Sequence, residues 1–505
     1  MSPIPTSGTA TFLPSRRTLV SFISCCQLFA CLVYFAVSKK NCCFLPKWIA
    51  AKIRGVIYHS AHLVMNHSTG FSFFCRRCLR AVVYASALSF APPLLAAVIG
   101  RNIAALPLTG ERIAMLPTSE QAVWQKYLKH SEQQRQEDQS FLQAEIRHYG
   151  IKTSMVPPSS FSARSIPLNQ PAAWYGSTDA VRIAGIIVSF QTPAGGWSKN
   201  LNLTAQARVP GESFAPDNNS RYPGTNDFDA APISHWDYVG TFDNDATITE
   251  LRFLAKVIAA GETAQVKSLK HSFQHGMDYI FAAQYPNGGW PQVWPLQGGY
   301  HDAITFNDDA MINILSLLRN VSAGTNDFGF VPDKTKRLAA ASLRRGLSCV
   351  LACQIRVKGQ PAVWCQQHDA LTLQPVSGRN YEMPSAVSRE SADVMIFLMK
   401  QPHPDANITE SVKAAAAWFE KTQIPDMTFK VVPGKGRRLV PAPGRGPTWA
   451  RFYQIGTNRP IFGDRDKSIH DNVDEISDER RNGYAWYSDG PQKALDRYAD
   501  WKKTM

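Results

Sequence analysis

The first hundred residues contain no Asp or Glu. They hold ten Lys and Arg, so most of the formal charge of +14 sits in that stretch. The rest of the chain carries 44 basic and 40 acidic side chains, a near balance that excludes the broad basic footprint of a nucleic-acid binder. Cysteine is scarce outside the same region. Seven of the ten precede residue 79, and only Cys349, Cys353 and Cys365 follow, which rules out a disulfide framework in the body. Cys75 and Cys78 have metal-like spacing, but no second pair completes a zinc site. P-loop, G-x-G-x-x-G and H-E-x-x-H patterns are absent. With 44% hydrophobic and 19% charged residues, the chain of 505 is globular and longer than one typical domain.

Residues 1–105 read as a hydrophobic targeting region. Thr18–Val37 is a charge-free run between Arg16-Arg17 and Lys39-Lys40, long enough to span a bilayer. Ala81–Gly100 follows Arg76, Arg77 and Arg80 and ends near small residues, the pattern of a signal peptide over about 76–105. Met65 precedes it at a normal distance, so residues 1–64 are either an over-long start or a membrane anchor. Cys31, after Leu28-Phe29-Ala30, offers lipidation as a third option. All three imply export.

The body, 106–505, opens with a polar helical run from Ser119 to His148. Beyond a Pro/Ser-rich linker it repeats itself. A helix ends at a Gln and enters a turn closed by Trp: Gln191 to Trp197, Gln284 to Trp290, and more loosely Gln354 to Trp364, with Trp418–Gln423 as a degenerate fourth copy. After each turn an acidic or amide-rich start leads into another helix, at Asp243-Asn-Asp245, Asn307-Asp-Asp309 and Arg389-Glu390. Met311–Leu318 and Val394–Met399 are apolar nearly all round, whereas Leu338–Cys353 is amphipathic. Buried helices alternating with half-exposed ones predict an inner and an outer ring, an all-α toroid of about three helical hairpins. Trp turns and acidic helix starts then share one rim, where long loops would build a site.

Each rim residue has two readings. Asp245 and Asp308 suit helix N-caps, and Thr247 with Glu250 offers a capping box. Asp243, Asp245, Asp308 and Asp309 together also supply the hard oxygens that Ca²⁺ takes. Lys199, Arg379, Arg459 and Arg465 are solvated or ion-paired cations, or clamps for a polyanionic sugar. Trp290 either packs in the core or stacks on a sugar face. His368-Asp369 is a base with its acid or a local hydrogen-bonded turn. Cys365 reads as packing, and Lys430–Arg445 as a solvated loop.

Several stretches resemble the pectate lyases of polysaccharide lyase family ten: Gly195-Gly-Trp-Ser-Lys-Asn200, Asp243-Asn-Asp-Ala-Thr247, Ala283–Gln292, Ile304-Thr-Phe-Asn-Asp308, Trp364–Asp369, Arg379-Asn-Tyr-Glu382 and Arg459-Pro-Ile-Phe through Arg465. The resemblance runs colinearly over roughly 120–505. Ser198, where a proline is usual, and the run Ala386-Val-Ser-Arg-Glu390 depart from the pattern. The resemblance implies an (α/α)₃ toroid that cleaves de-esterified homogalacturonan by Ca²⁺-assisted β-elimination; with the export signals, the expectation is a secreted monomer whose partner is an anionic polysaccharide. It implies Ca²⁺ on Asp243 and Asp308, removal of the C5 proton by Arg379, carboxylates on Lys199 and Arg465 with Arg459 beside them, and Asn307 and Trp290 positioning the sugar. Two other classes share such a mouth: a glycoside hydrolase using Asp243 and Asp308 as acid and base, and a non-catalytic binder of acidic polysaccharide.

Overall fold

A computed structural model describes residues 97–159, 165–218, 226–230, 236–261 and 264–504. Both hydrophobic runs of the targeting region lie outside these residues, apart from the end of the second. Eleven α-helices occur among the described residues: α1 (Gly110–Ala114), α2 (Thr118–His148), α3 (Thr178–Ser189), α4 (Ile248–Ala259), α5 (Val266–Ala283), α6 (Ala310–Ala323), α7 (Asp333–Cys353), α8 (Ser388–Met399), α9 (Ala406–Thr422), α10 (Asp478–Gly483) and α11 (Gly490–Trp501).

The alternation of wet and dry helices predicted two rings, and the burial follows it. In α4 and α8 nine of twelve residues are buried, on every side of the helix. In α7 only one stripe is buried, running from Thr335 through Ala339, Ser342 and Gly346 to Val350 and Cys353. Helices α4, α6 and α8 form the inner set, with α6 touching both others, while α3, α5, α7 and α9 lie outside them. Each inner helix packs on the outer helix that follows it, α4 on α5, α6 on α7 and α8 on α9, with α3 against α4 and with α11 against α8 and α9. The long helix α2 lies outside, pinned by Trp124 and by Tyr127, whose hydroxyl donates to Ala283 O at 2.9 Å.

The turn between each outer and inner helix is built to one plan. The Trp indole donates back to the carbonyl four residues before the Gln: Trp197 to Ile187, Trp290 to Ile280, Trp364 to Val350 and Trp449 to Phe419, at 2.7–2.9 Å. Trp449 is therefore the fourth copy, paired with Gln423 across an inserted hairpin, and Trp418 is not. The Gln side chain ties each copy to the next. Gln191 donates to Ser272 O, Gln284 to Ser342 O and Gln354 to Ser411 O.

Short strands in the rim loops are additions to the all-α plan. The basic stretch expected as a loop is an antiparallel hairpin, Met427–Val432 against Gly436–Pro441. Thr428, Phe429, Val431, Val432 and Val440 supply its β-branched and aromatic positions. The body also begins earlier than residue 106. Gly100–Arg101 pairs with Ser468–Ile469, and Asn102 Nδ2 donates to the carbonyls of Arg379 and Asn380 at 3.1 Å. Residues from 97 on belong to the fold because their backbone groups are paired with it.

Candidate active site

The repeated turn fixes what reaches the rim. Two residues after each Trp stand Lys199, Gln292, Gln366 and Arg451. The backbone then joins each turn to an inner-helix start: Phe242 N donates to Gln292 O, Phe306 N to Gln366 O and Ser388 N to Arg451 O, at 2.7–3.0 Å. In this register Asp243, Asn307 and Arg389 are equivalent, as are Asn244, Asp308 and Glu390. Asn244 and Asp308 have φ of 52° and 48°, and Asp245 and Asp309 follow at 63° and 61°. Asn and Asp tolerate this left-handed backbone better than other side chains, and its cost is of the kind that marks functional turns.

The side chains at these positions form one polar network. Lys199 Nζ lies 2.6 Å from Asp243 Oδ2, and Gln292 Nε2 donates to Asp243 Oδ1 at 3.0 Å. Gln366 Nε2 donates to Asn307 Oδ1 at 2.7 Å and to Glu390 Oε1 at 3.0 Å. Arg451, fully buried, joins Glu390 Oε1 in a tight ion pair and reaches Asn307 Oδ1 at 3.3 Å. Asp308 accepts from Asn307 Nδ2 at 3.1 Å and faces Arg389 at 3.5 Å. Burial, and after it the charge of Asp243, push the Asp308 carboxyl above its ordinary range. Burial opposes charge on Glu390 as well, but Arg451 and Arg389 hold that carboxyl below the usual value.

The residues at this rim suit Ca²⁺ in donor chemistry. Asp243 and Asp308 are near enough to repel one another, and buried oxygens of Gln292, Gln366, Glu390 and Asp309 have no partner. They do not make a complete cage: no group of three described His, Cys, Asp or Glu residues could hold a metal ion. A cation held by Asp243 and Asp308 would take its remaining oxygens from solvent or a bound uronate.

Arg379 and Arg465 flank the Tyr381 ring, at 5.1 and 5.5 Å from its centroid. Arg379 forms a bidentate pair with Glu382, at 2.6 and 3.0 Å. Glu382 is buried at 2% exposure and also accepts from Tyr484 OH at 2.8 Å. Burial works against the charge on Arg379, but Glu382 overrides it and raises its proton affinity well above the ordinary value. Arg465 pairs with Glu479 at 2.8 and 3.1 Å, and its proton affinity is also raised. Glu479, however, lies nearer the surface and is shared with Arg480. Arg459 stands apart in an exposed turn, paired with Asp471 at 3.0 Å.

Other expectations change. Trp290 has 1% exposure and its indole is bonded inside the repeat, so it cannot stack on a sugar. His368 is buried, accepts from Cys365 N and bonds Leu373 O, and burial pushes its pKa down to about 4. This is the local-turn reading, with Asp369 turned away to Arg112 at 2.6 Å. Neither Asp245 nor Asp308 caps a helix. Asp245 accepts from Asn313 Nδ2 at 2.7 Å, and the starts of α4 and α6 have no side-chain cap. Arg451 and Gln366 escaped sequence reading, although their place two residues after a repeat Trp was a usable signal.

The toroid thus gathers paired carboxylates, a lysine and arginines along one rim. Residues 191–495 match the family model described as pectic acid lyase, so the chain belongs to that family. It is similar to the solved family 10 polysaccharide lyase from Cellvibrio cellulosa, with 30% identity and a TM-score of 0.56 over 68% of this chain and 99% of that one. A mutant of that enzyme in complex with trigalacturonic acid matches at 29% identity and TM-score 0.55, with the same coverage. No curated relative matches. The protein is a pectate lyase, a carbon–oxygen lyase acting on polysaccharides.

Proposed function

We propose that the protein is secreted and cleaves de-esterified homogalacturonan by β-elimination, with Ca²⁺ held by Asp243 and Asp308. The observation that carries this reading is the pairing of oxygen donors with cations along one rim: Asp243 and Asp308 beside Lys199, Arg389 and Arg451. A polyuronate needs both, because each sugar brings a carboxylate. The C5 hydrogen is removed as a proton, its electron pair forms the C4–C5 double bond, and the C4–oxygen bond breaks with its electrons on the departing sugar. Ca²⁺ on the C6 carboxylate would neutralise charge that develops as that proton leaves. Lys199 and Arg379 would bind and orient carboxylates, and Asn307, held by Gln366 and Arg451, would help position the sugar.

Proton removal is better supported on Arg465 than on Arg379. If the Arg379 side chain released Glu382, that buried carboxylate would lose its ion-pair partner and keep only neutral donors, the Tyr484 hydroxyl and the Arg379 amide. When Arg465 releases Glu479, Arg480 remains to pair with it. An arginine accepts the C5 proton only as the neutral guanidine, after its own proton has gone to solvent, a form that desolvation favours and alkaline pH populates, so activity should keep rising into alkaline pH. Secretion places the cleavage point before residue 97, since later residues are part of the fold. The test is absorbance of the 4,5-unsaturated product from polygalacturonate, with Ca²⁺ and then with chelator.

A further inference from the structure

The segment 226–230 brings two carboxylates, Asp227 and Asp229, to the cationic cleft. It is fastened on two sides. On one, Phe228 N donates to Asn380 Oδ1 at 2.9 Å, next to Arg379, and Lys467 Nζ donates to Asn226 O at 2.8 Å while standing 4.8 Å over the Phe228 ring. On the other, Asp229 Oδ1 accepts from Tyr238 OH at 3.0 Å and from Tyr300 OH, with His301 Nε2 at 3.7 Å. Lys199 Nζ sits 3.2 Å over the Tyr238 ring. The Asp229 carboxylate, 18% exposed, thus shares Tyr238 with Lys199 and stands one residue from the amide bonded beside Arg379, while those cations are themselves paired with Asp243 and Glu382.

This is an expensive place for an unpaired acid and a favourable one for an anion. Burial would raise the carboxyl, yet His301, Lys199 and Arg379 hold it well below the ordinary range. Of these neighbours, Lys199 and Arg379 are the groups assigned above to substrate carboxylates. Asp227 adds its field to Arg465 in the same way.

We infer that Asp229 is a specificity-determining residue, whose carboxylate occupies the position between Lys199 and Arg379 that a galacturonate carboxylate of the substrate would take. The polysaccharide must compete with an internal acid for those cations. Asp229 thereby sets how much negative charge a chain needs in order to enter, and short or partly esterified chains are disfavoured. This rests on the proposed substrate.

The test is Asp229→Asn, which keeps shape and hydrogen bonds and removes the charge. KM for polygalacturonate and the Kd for trigalacturonate, measured by calorimetry, should both fall about tenfold, the equivalent of one charge-assisted contact. A KM and Kd that stay level or rise, with a lower Tm, would mean that Asp229 only braces the fold, and the inference would be wrong. Phe228→Ala loosens the segment without touching any cleft charge and should shift both constants the same way by a smaller factor, so the idea is testable even if Asp229→Asn folds poorly. The two readings separate cleanly. Unsaturated product with no change in Kd removes this inference and leaves the lyase on this substrate. Tighter trigalacturonate binding without product does the reverse. No trigalacturonate binding by wild type or variants removes both.

Discussion

Arg379 and Arg465 stack on the same tyrosine but differ in the carboxylate each would leave behind. Arg465→Lys should lower kcat by about 10²–10⁴ with a small change in KM, as loss of the proton acceptor requires. Arg379→Lys should chiefly raise KM. Steady-state kinetics on polygalacturonate decides, and the reversed pattern would return the base role to Arg379. Sequence alone could not separate the two, because the difference lies in Glu382 being buried and Glu479 being shared. Titration behaviour was equally hidden. Burial raises Asp138 to about 7 and Glu250 to about 8. Both keep a proton when folded at pH values where the unfolded chain has lost it. Their contribution is complete below about pH 4 and is lost as pH rises through 7 and 8. Asp138→Asn should therefore raise Tm relative to wild type more at pH 9 than at pH 5. Equal shifts at the two pH values in thermal denaturation would contradict the assignment.

Among elements, the Trp turn carries most of the architecture. Its indole closes the end of its own outer helix, and its face packs on a glycine of the next one. A methyl group at Gly276 would meet Leu251 at 2.7 Å and Trp197 at 3.0 Å, and one at Gly346 would meet Leu315 at 2.5 Å and Trp290 at 2.8 Å. Both glycines sit eight residues before a repeat Gln. Gly346→Ala should destabilise by about 1–3 kcal/mol through overpacking, and Trp290→Ala by about 3–5 kcal/mol. Denaturant unfolding would show both losses while KM of the folded fraction holds; a raised KM for Trp290→Ala would restore its sugar-binding role. The rings were legible because Gln, the glycine pair and Trp recur at short range. The fourth copy was not, since 26 positions and a hairpin separate Gln423 from Trp449. The caps were misjudged for a related reason. Left-handed residues at Asp308 and Asp309 turn those side chains away from the helix end and toward the rim.

At the scale of the whole molecule, the charge asymmetry and most of the two hydrophobic runs belong to residues before 97, whereas the toroid and its rim belong to the described residues from 97 on. Among the described residues no helix is long and apolar enough to cross a membrane. N-terminal sequencing of the exported protein should find its first residue at or before 97. A start after Asn102 would remove the strand and the amide that support the loop of Arg379. Ca²⁺ should bind more tightly once trigalacturonate is present, because the protein alone offers an incomplete donor set. The direct test of the proposed β-elimination is absorbance of the 4,5-unsaturated product during incubation with polygalacturonate, followed with Ca²⁺ and after chelation. The signal should grow with Ca²⁺, vanish with chelator and strengthen toward alkaline pH. New reducing ends without that absorbance would contradict the account and point to hydrolysis by paired carboxylates.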